Sequence, residues 1–239
     1  MSGKIPHYAA MLLCVHLASA CSDGGPPNRA PQGQTPGARS AVEAKQAPAP
    51  EAQDQKLVLA FGDSLYAGYG LKQNESFPYD LEQALRRQGI AARVHNAGVS
   101  GDTTAAGRQR LAFTLDGLPR KPDLAIVGLG ANDMLRGLDP QLARDNLSAI
   151  LAEFRRRGIP IMLTGMLAAP NMGRDYGARF NAIYPDLAKE YDAELYPFFL
   201  AGVVTSSALM LPDHLHPNAA GVDAIVARVA PIVAKKLRA

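Results

Sequence analysis

Leu57-Val58-Leu59-Ala60-Phe61-Gly62-Asp63-Ser64-Leu65 runs five apolar residues together and then breaks into a turn. An unbroken apolar run of this length suits a strand covered on both faces, the situation of a parallel sheet flanked by helices. Outward from it the pattern alternates. Ser76 is expected to cap a helix with Phe77, Leu81, Ala84 and Leu85 on its inner face, ended by Gly89. Ala92-Arg93-Val94-His95-Asn96 reads as a second strand, and a helix from Asp102 carries Leu111 and Leu115. Leu124-Ala125-Ile126-Val127-Gly128 is a third strand. Asp139-Pro140 opens a long helix with Ala143, Leu147, Ile150, Leu151 and Phe154 at helical spacing, closed by Gly158. Ile161-Met162-Leu163-Thr164 is a fourth strand, followed by a helix with Phe180, Ile183, Tyr184, Leu187 and Tyr191. A fifth strand is expected around Leu195-Tyr196-Pro197. The last helix starts near Asn218 with Val222, Ile225, Val226, Val229 and Val233 inside, and Pro231 is expected to kink it or cut short its hydrogen bonding. Strands alternating with helices predict right-handed parallel βαβ units, an α/β fold built as a three-layer α/β/α sandwich on a five-stranded parallel sheet.

The chain has 239 residues, 47% of them hydrophobic, and a net charge of +3 to which Lys4 contributes one. So slight a balance, without tryptophan and without a basic cluster interleaved with aromatics, argues against nucleic acid as a partner. The α/β pattern fills only residues 56–239, read as one domain.

Residues 1–20 read as a signal peptide: Lys4 precedes an apolar run from Tyr8 to Ala20 that is too short to span a bilayer. Leu17-Ala18-Ser19-Ala20-Cys21 resembles a bacterial lipobox, in which Cys21 is lipidated and becomes the mature N-terminus. Ala18-Ser19-Ala20 also fits ordinary cleavage after Ala20, which leaves a soluble periplasmic protein. With Cys14 lost in the leader, neither reading permits an internal disulfide. Residues 21–55 then form a linker punctuated by Pro26, Pro27, Pro31, Pro36, Pro48 and Pro50, with no apolar periodicity to offset its ordering entropy. A flexible segment of that length reaches roughly 30–35 Å, enough to hold a domain clear of a membrane surface.

Four short blocks supply the parts of an acyl-transfer site. Ser64 follows the first strand, and as a nucleophile would attack a carbonyl carbon while its own N–H faces the developing oxyanion. Gly98 follows the second strand in Asn96-Ala97-Gly98-Val99-Ser100-Gly101-Asp102, where a residue without a side chain lets a backbone N–H approach the same oxygen. Asn132, in Gly130-Ala131-Asn132-Asp133 after the third strand, offers an amide donor that does not titrate, with Asp133 bracing the loop. Asp213-His214-Leu215-His216 supplies the base. His7 and His16 leave with the leader and His95 sits inside a strand, so the choice is between His214 and His216. Asp213-x-x-His216 spans about one turn, letting the carboxylate reach Nδ1 while Nε2 faces Ser64. Each residue has a plain structural role as an alternative, a turn or cap above all; the four in order outweigh it. The nucleophile elbow G-x-S-x-G is absent. A metal site from Asp213, His214 and His216 lacks a further histidine to complete a shell.

The order and wording of these blocks resemble the SGNH (GDSL) hydrolase superfamily. Gly62-Asp63-Ser64-Leu65-Tyr66-Ala67-Gly68-Tyr69-Gly70, Ser100-Gly101-Asp102-Thr103, Gly130-Ala131-Asn132-Asp133, Tyr184-Pro185-Asp186-Leu187-Ala188-Lys189-Glu190 and His216-Pro217-Asn218 look like its exported bacterial thioesterase/lysophospholipases and arylesterases. The resemblance implies a flavodoxin-like sandwich and hydrolysis of carboxylic esters or thioesters without a cofactor. Within the superfamily a carbohydrate O-deacetylase is the rival reading; outside catalysis, a tethered binding lipoprotein is. Loops from Met166 to Tyr176 and Leu200 to Leu211 are apolar enough to line an acyl site.

Overall fold

A computed structural model describes residues 55–239. The leader, Cys21 and the linker up to Asp54 lie outside those residues. The elements in order are β1 (Lys56–Gly62), α1 (Ser64–Ala67), α2 (Phe77–Arg87), β2 (Ala92–Gly98), α3 (Thr104–Asp116), β3 (Leu124–Gly128), α4 (Ala131–Leu135), α5 (Pro140–Arg156), β4 (Ile161–Thr164), α6 (Arg174–Tyr191), β5 (Glu194–Tyr196) and α7 (Ala219–Arg238), with three short 3-10 turns between them. The five strands form one sheet in the order β2-β1-β3-β4-β5, every pair parallel. The sandwich is the one expected. Helices α2 and α7 pack together, as do α3 with α5 and α5 with α6. Their inner faces, such as Phe77, Leu81 and Leu85 of α2 and Leu147, Ile150 and Phe154 of α5, are buried as the periodicity requires.

The strand order reverses between β1 and β3, because the chain moves outward from β1 to β2 and then returns to the other side of β1. Connections leaving the carboxyl ends diverge there and open a crevice. Gly62 pairs in register with both Gly98 and Gly128, so three strands end in a row of glycines. Side chains at Gly62 or Gly128 would collide with the Tyr66 ring, and one at Gly98 with the backbone of Tyr66 and Ala67. The bare row lets α1 sit directly on the sheet end. Tyr66 is locked beneath it, its hydroxyl 2.8 Å from Thr164 Oγ1 and its ring tilted on Phe77 and Phe199.

Some details depart from the sequence reading. Ser76 stands at the N-cap of α2, but its hydroxyl donates to Gln73 O at 3.3 Å rather than capping the helix. Thr103, not Asp102, caps α3, its side chain accepting from Ala106 N–H. Helix α7 continues through Pro231 to Arg238. Its buried face, Val222 and Val229 before the proline and Val233 and Leu237 after it, packs on both sides of the missing hydrogen bond and holds the helix together. Helices α1 and α4 were not expected at all. Among the described residues no helix is long and apolar enough to cross a membrane.

Candidate active site

Asp63 caps α1, accepting the Leu65 N–H at 3.0 Å, and this fixes Ser64 as the first residue of the helix. Ser64 Oγ lies 2.8 Å from His216 Nε2, and His216 Nδ1 lies 2.7 Å from Asp213 Oδ2. The other Asp213 oxygen accepts the N–H groups of Leu215 at 2.9 Å and His216 at 3.0 Å. Those bonds require a tight reversal, which His214 provides with a left-handed backbone at φ 55°. The segment is tied at its base: Leu211 N–H donates to His216 O at 2.7 Å, and Asn218, the cap of α7, donates from Nδ2 to Ala208 O at 2.9 Å. A serine and a histidine separated by 152 positions are thus held in contact by two capped helices.

Charge follows geometry. Partial burial works against the Asp213 carboxylate, but the bonds from His216 Nδ1 and from the two N–H groups prevail and hold its pKa down to about 2. It stays ionised at any pH where His216 must orient. Asp63 is the reverse case. Burial raises it, the Leu65 N–H opposes, and the charges of Asp102 and Asp133 add to the rise, which reaches about 7.

The groups expected as oxyanion donors come from two loops besides Ser64. Gly130, left-handed at φ 116°, starts α4 and brings Asn132 into its first turn. Asn132 Nδ2 donates to Asp102 O at 2.9 Å, which uses one amide hydrogen and leaves the other. Asp133 braces the two loops by accepting the Thr104 N–H at 2.8 Å and the Thr104 hydroxyl at 2.6 Å.

Gly98 is a correction. Its N–H is occupied by Asn96 Oδ1 at 2.9 Å, and its Cα faces the α1 backbone, 2.7 Å from Tyr66 C to an added Cβ. The glycine that borders the cleft with Ser64 and Asn132 is Gly101. Its backbone is left-handed at φ 85°, and its N–H meets no acceptor among the described residues. The sequence carried a signal for it: Gly101 stands two residues before the Thr103 cap of α3, in the same loop as Gly98.

Ser64, Asn132 and His216 line a cleft of about 660 Å³. Met166, Leu167 and Pro170 from one expected loop and Leu200 and Val204 from the other line it, together with Met134, Leu135, Phe198 and Leu215, which the sequence did not single out. His214 is exposed at the rim and bonds neither Ser64 nor Asp213 through its ring. His95 lies on β2, outside the cleft lining.

Residues 60–224 match the GDSL-like Lipase/Acylhydrolase family. The chain belongs to that family. It is 39% identical to an arylesterase of Vibrio mimicus over 166 residues, covering 70% of this chain and 82% of the relative. It is 38% identical over 167 residues to the thioesterase 1/protease 1/lysophospholipase L1 of Escherichia coli K12, covering 70% and 77%. Among solved structures, AlinE4, an SGNH-hydrolase family esterase, shares 58% identity with a TM-score of 0.66, over 77% of this chain and 98% of its own. EstA, a psychrotrophic esterase from Pseudoalteromonas sp. solved with monoethylphosphonate as inhibitor, shares 28% with a TM-score of 0.72, over 77% and 100%. With this membership comes the activity: the chain is a serine hydrolase of carboxylic esters or thioesters.

Proposed function

We propose that Ser64, His216 and Asp213 carry that hydrolysis through an acyl-enzyme, with the N–H groups of Ser64 and Gly101 and the free amide hydrogen of Asn132 as oxyanion donors. The observation that carries the reading is the 2.8 Å contact between Ser64 Oγ and His216 Nε2, continued at 2.7 Å to Asp213. As Ser64 Oγ attacks the carbonyl carbon, its proton passes to Nε2, and the imidazolium is stabilised by the ionised Asp213. The carbonyl oxygen takes up the negative charge facing the three donors. Collapse of the tetrahedral species expels the alcohol or thiol, which receives the proton from Nε2. Water, deprotonated by the same nitrogen, then attacks the acyl-Ser64 carbonyl; collapse releases the acid and returns the proton from Nε2 to Ser64 Oγ. These steps consume nothing but water and need no cofactor.

The apolar walls from Met134 to Val204 suit an aliphatic or aromatic acyl group, as in aryl esters, acyl thioesters or lysophospholipids. A carbohydrate leaving group would find few polar partners there, which disfavours the deacetylase reading. Ser64→Ala is expected to abolish hydrolysis of p-nitrophenyl esters and labelling by a fluorophosphonate while leaving the circular-dichroism melt intact. Turnover by the folded variant would end the assignment. A series from acetyl to palmitoyl esters, with acyl-CoA and lysophospholipid, then ranks the substrates.

Export and anchoring through Cys21 complete the proposal, supported by the leader and the lipobox-like segment. A bacterial host should yield wild-type protein that incorporates labelled fatty acid and resists salt washing of the membrane fraction, since more than one acyl chain anchors stably. Cys21→Ser should be released with unchanged specific activity. Soluble wild-type protein starting at an unmodified Cys21 would instead establish plain cleavage after Ala20.

A further inference from the structure

Arg110, on α3, is largely buried, its side chain 21% exposed, and its guanidinium bonds two of the three segments that carry the proposed oxyanion donors, the end of β1 before Ser64 and the loop after Gly101. Its Nε donates to Asp102 Oδ2 at 2.6 Å, and its Nη2 donates to Gly62 O at 2.9 Å. The planar group rests on the Phe61 ring, with Cζ 4.2 Å from the centroid. Gly62 ends β1 and leads through the Asp63 cap to Ser64. Asp102 follows Gly101 directly. The carbonyl of Asp102 in turn accepts the Asn132 amide at 2.9 Å.

We propose that Arg110 is a positioning residue for the oxyanion site, setting the distances between the Ser64 and Gly101 N–H groups and the Asn132 amide. It touches no substrate. Its two hydrogen bonds fix the end of β1 against the loop before α3, and Asp102 passes that constraint on to Asn132. The residue type is suited to the task. A guanidinium presents donors in a rigid fork and can serve a carboxylate and a carbonyl at once, whereas a lysine ammonium is a point charge on a flexible stem. The charge has a second reason to be there. Asp63, Asp102 and Asp133 are all buried in this region, and among them only Asp102 forms an ion pair within the described residues. Phe61, buried in the core, fixes the guanidinium plane from below.

The inference rests on the proposed roles of Ser64, Gly101 and Asn132, and the experiment separates the two. Steady-state hydrolysis of p-nitrophenyl butyrate is compared for wild type, Ser64→Ala, Arg110→Met, Arg110→Lys, Asn132→Ala and the double variants of Arg110 with Asn132→Ala. Arg110→Met is expected to lower kcat about 10- to 100-fold with KM within about threefold, because donors displaced by a fraction of an ångström lose transition-state rather than ground-state binding. Arg110→Lys should recover only part of the loss, and it carries the test if Arg110→Met does not fold. In the Asn132→Ala background the Arg110 penalty should shrink at least about fivefold, since one of the donors it positions is already gone. Wild-type kcat in a folded Arg110 variant, a loss confined to KM, or an undiminished penalty beside Asn132→Ala would each overturn the inference. Activity in Ser64→Ala would instead overturn the underlying site. Inactive Ser64→Ala beside a fully active Arg110 variant removes the role of Arg110 alone.

Discussion

Tyr69 lies across the imidazole of His216, ring centroids 4.4 Å apart and planes inclined by 33°. It stands between two left-handed glycines, Gly68 at φ 83° and Gly70 at φ 72°, which turn the chain sharply enough to fold the side chain back over the site. Its N–H donates to Ser64 O at 3.2 Å. One residue is therefore joined through its backbone to Ser64 and through its ring to His216. Because Tyr69 remains 52% exposed, core packing does not explain its position, whereas contact with His216 does. Tyr69→Ala is expected to lower kcat roughly 2- to 10-fold, the range of one aromatic contact. Tyr69→Phe, which keeps the ring, should restore it. Equal kcat for all three proteins on p-nitrophenyl butyrate would show that the ring does not orient the base.

The two histidines of the 213–216 segment differ in what they touch. His216 bonds both Ser64 and Asp213, and its replacement by alanine should reduce kcat about 10²- to 10⁴-fold, as expected for loss of a general base. His214 serves the turn through its backbone while its side chain stands exposed at the rim. His214→Ala should change kcat less than about threefold, the scale of an exposed substitution. Full activity in a chelator, measured beside these variants, would dispose of the metal reading for Asp213, His214 and His216.

The glycines of the loop after β2 make opposite predictions. A Cβ at Gly98 would come 2.7 Å from Tyr66 C and push on the α1 backbone that carries Ser64. Gly98→Ala should therefore lose stability, by about 1–3 kcal/mol, and activity together. At Gly101 the nearest atom to an added Cβ is Arg136 Nη2 at 3.8 Å, so space is free and the cost is the left-handed φ of 85°. That strain is worth about 1–2 kcal/mol. Gly101→Ala should fold with a lower melting temperature and lose at least about tenfold in kcat as its N–H is rotated from the oxyanion. Wild-type kcat in Gly101→Ala would take Gly101 out of the donor set.

These contrasts also mark where the sequence could be read. The strands were legible because Leu57–Phe61 and Leu124–Val127 are continuous apolar runs, which two-sided burial demands. The Asp213–His216 pair was legible because its geometry is local, three positions apart. Helices α1 and α4 span four and five residues, too few to display a helical period, and their caps, Asp63 and Gly130, read equally well as turns. Gly98 and Gly101 satisfy the same requirement for a missing side chain. A local bond to the Asn96 side chain occupies one amide, while the fold sets Gly101 on the cleft with its N–H free of an acceptor among the described residues. The cleft wall was half legible for a similar reason: Leu135, Phe198 and Leu215 arrive singly from separate segments.

Asp63 supplies a test that needs no substrate. It is 1% exposed, and burial first, with the charges of Asp102 and Asp133 adding, lifts its pKa to about 7. A carboxyl group raised on folding binds its proton more tightly in the native state than in the unfolded chain. Its contribution therefore falls as pH rises from about 4, the ordinary carboxylate value, through 7, and the full penalty is present above that. Asp63→Asn keeps an oxygen to accept the Leu65 N–H and so preserves the cap, but it cannot ionise. The variant should melt higher than wild type at pH 8, by an amount worth a few kcal/mol at most, with the gap closing as pH approaches 4. Asp80, raised to about 6 by burial and by Asp223, bends the stability curve of both proteins alike. The difference between the two curves thus isolates Asp63. Thermal melts followed by circular dichroism from pH 4 to 8 would read it directly, and a gap that stays constant across that range would mean that Asp63 does not titrate there.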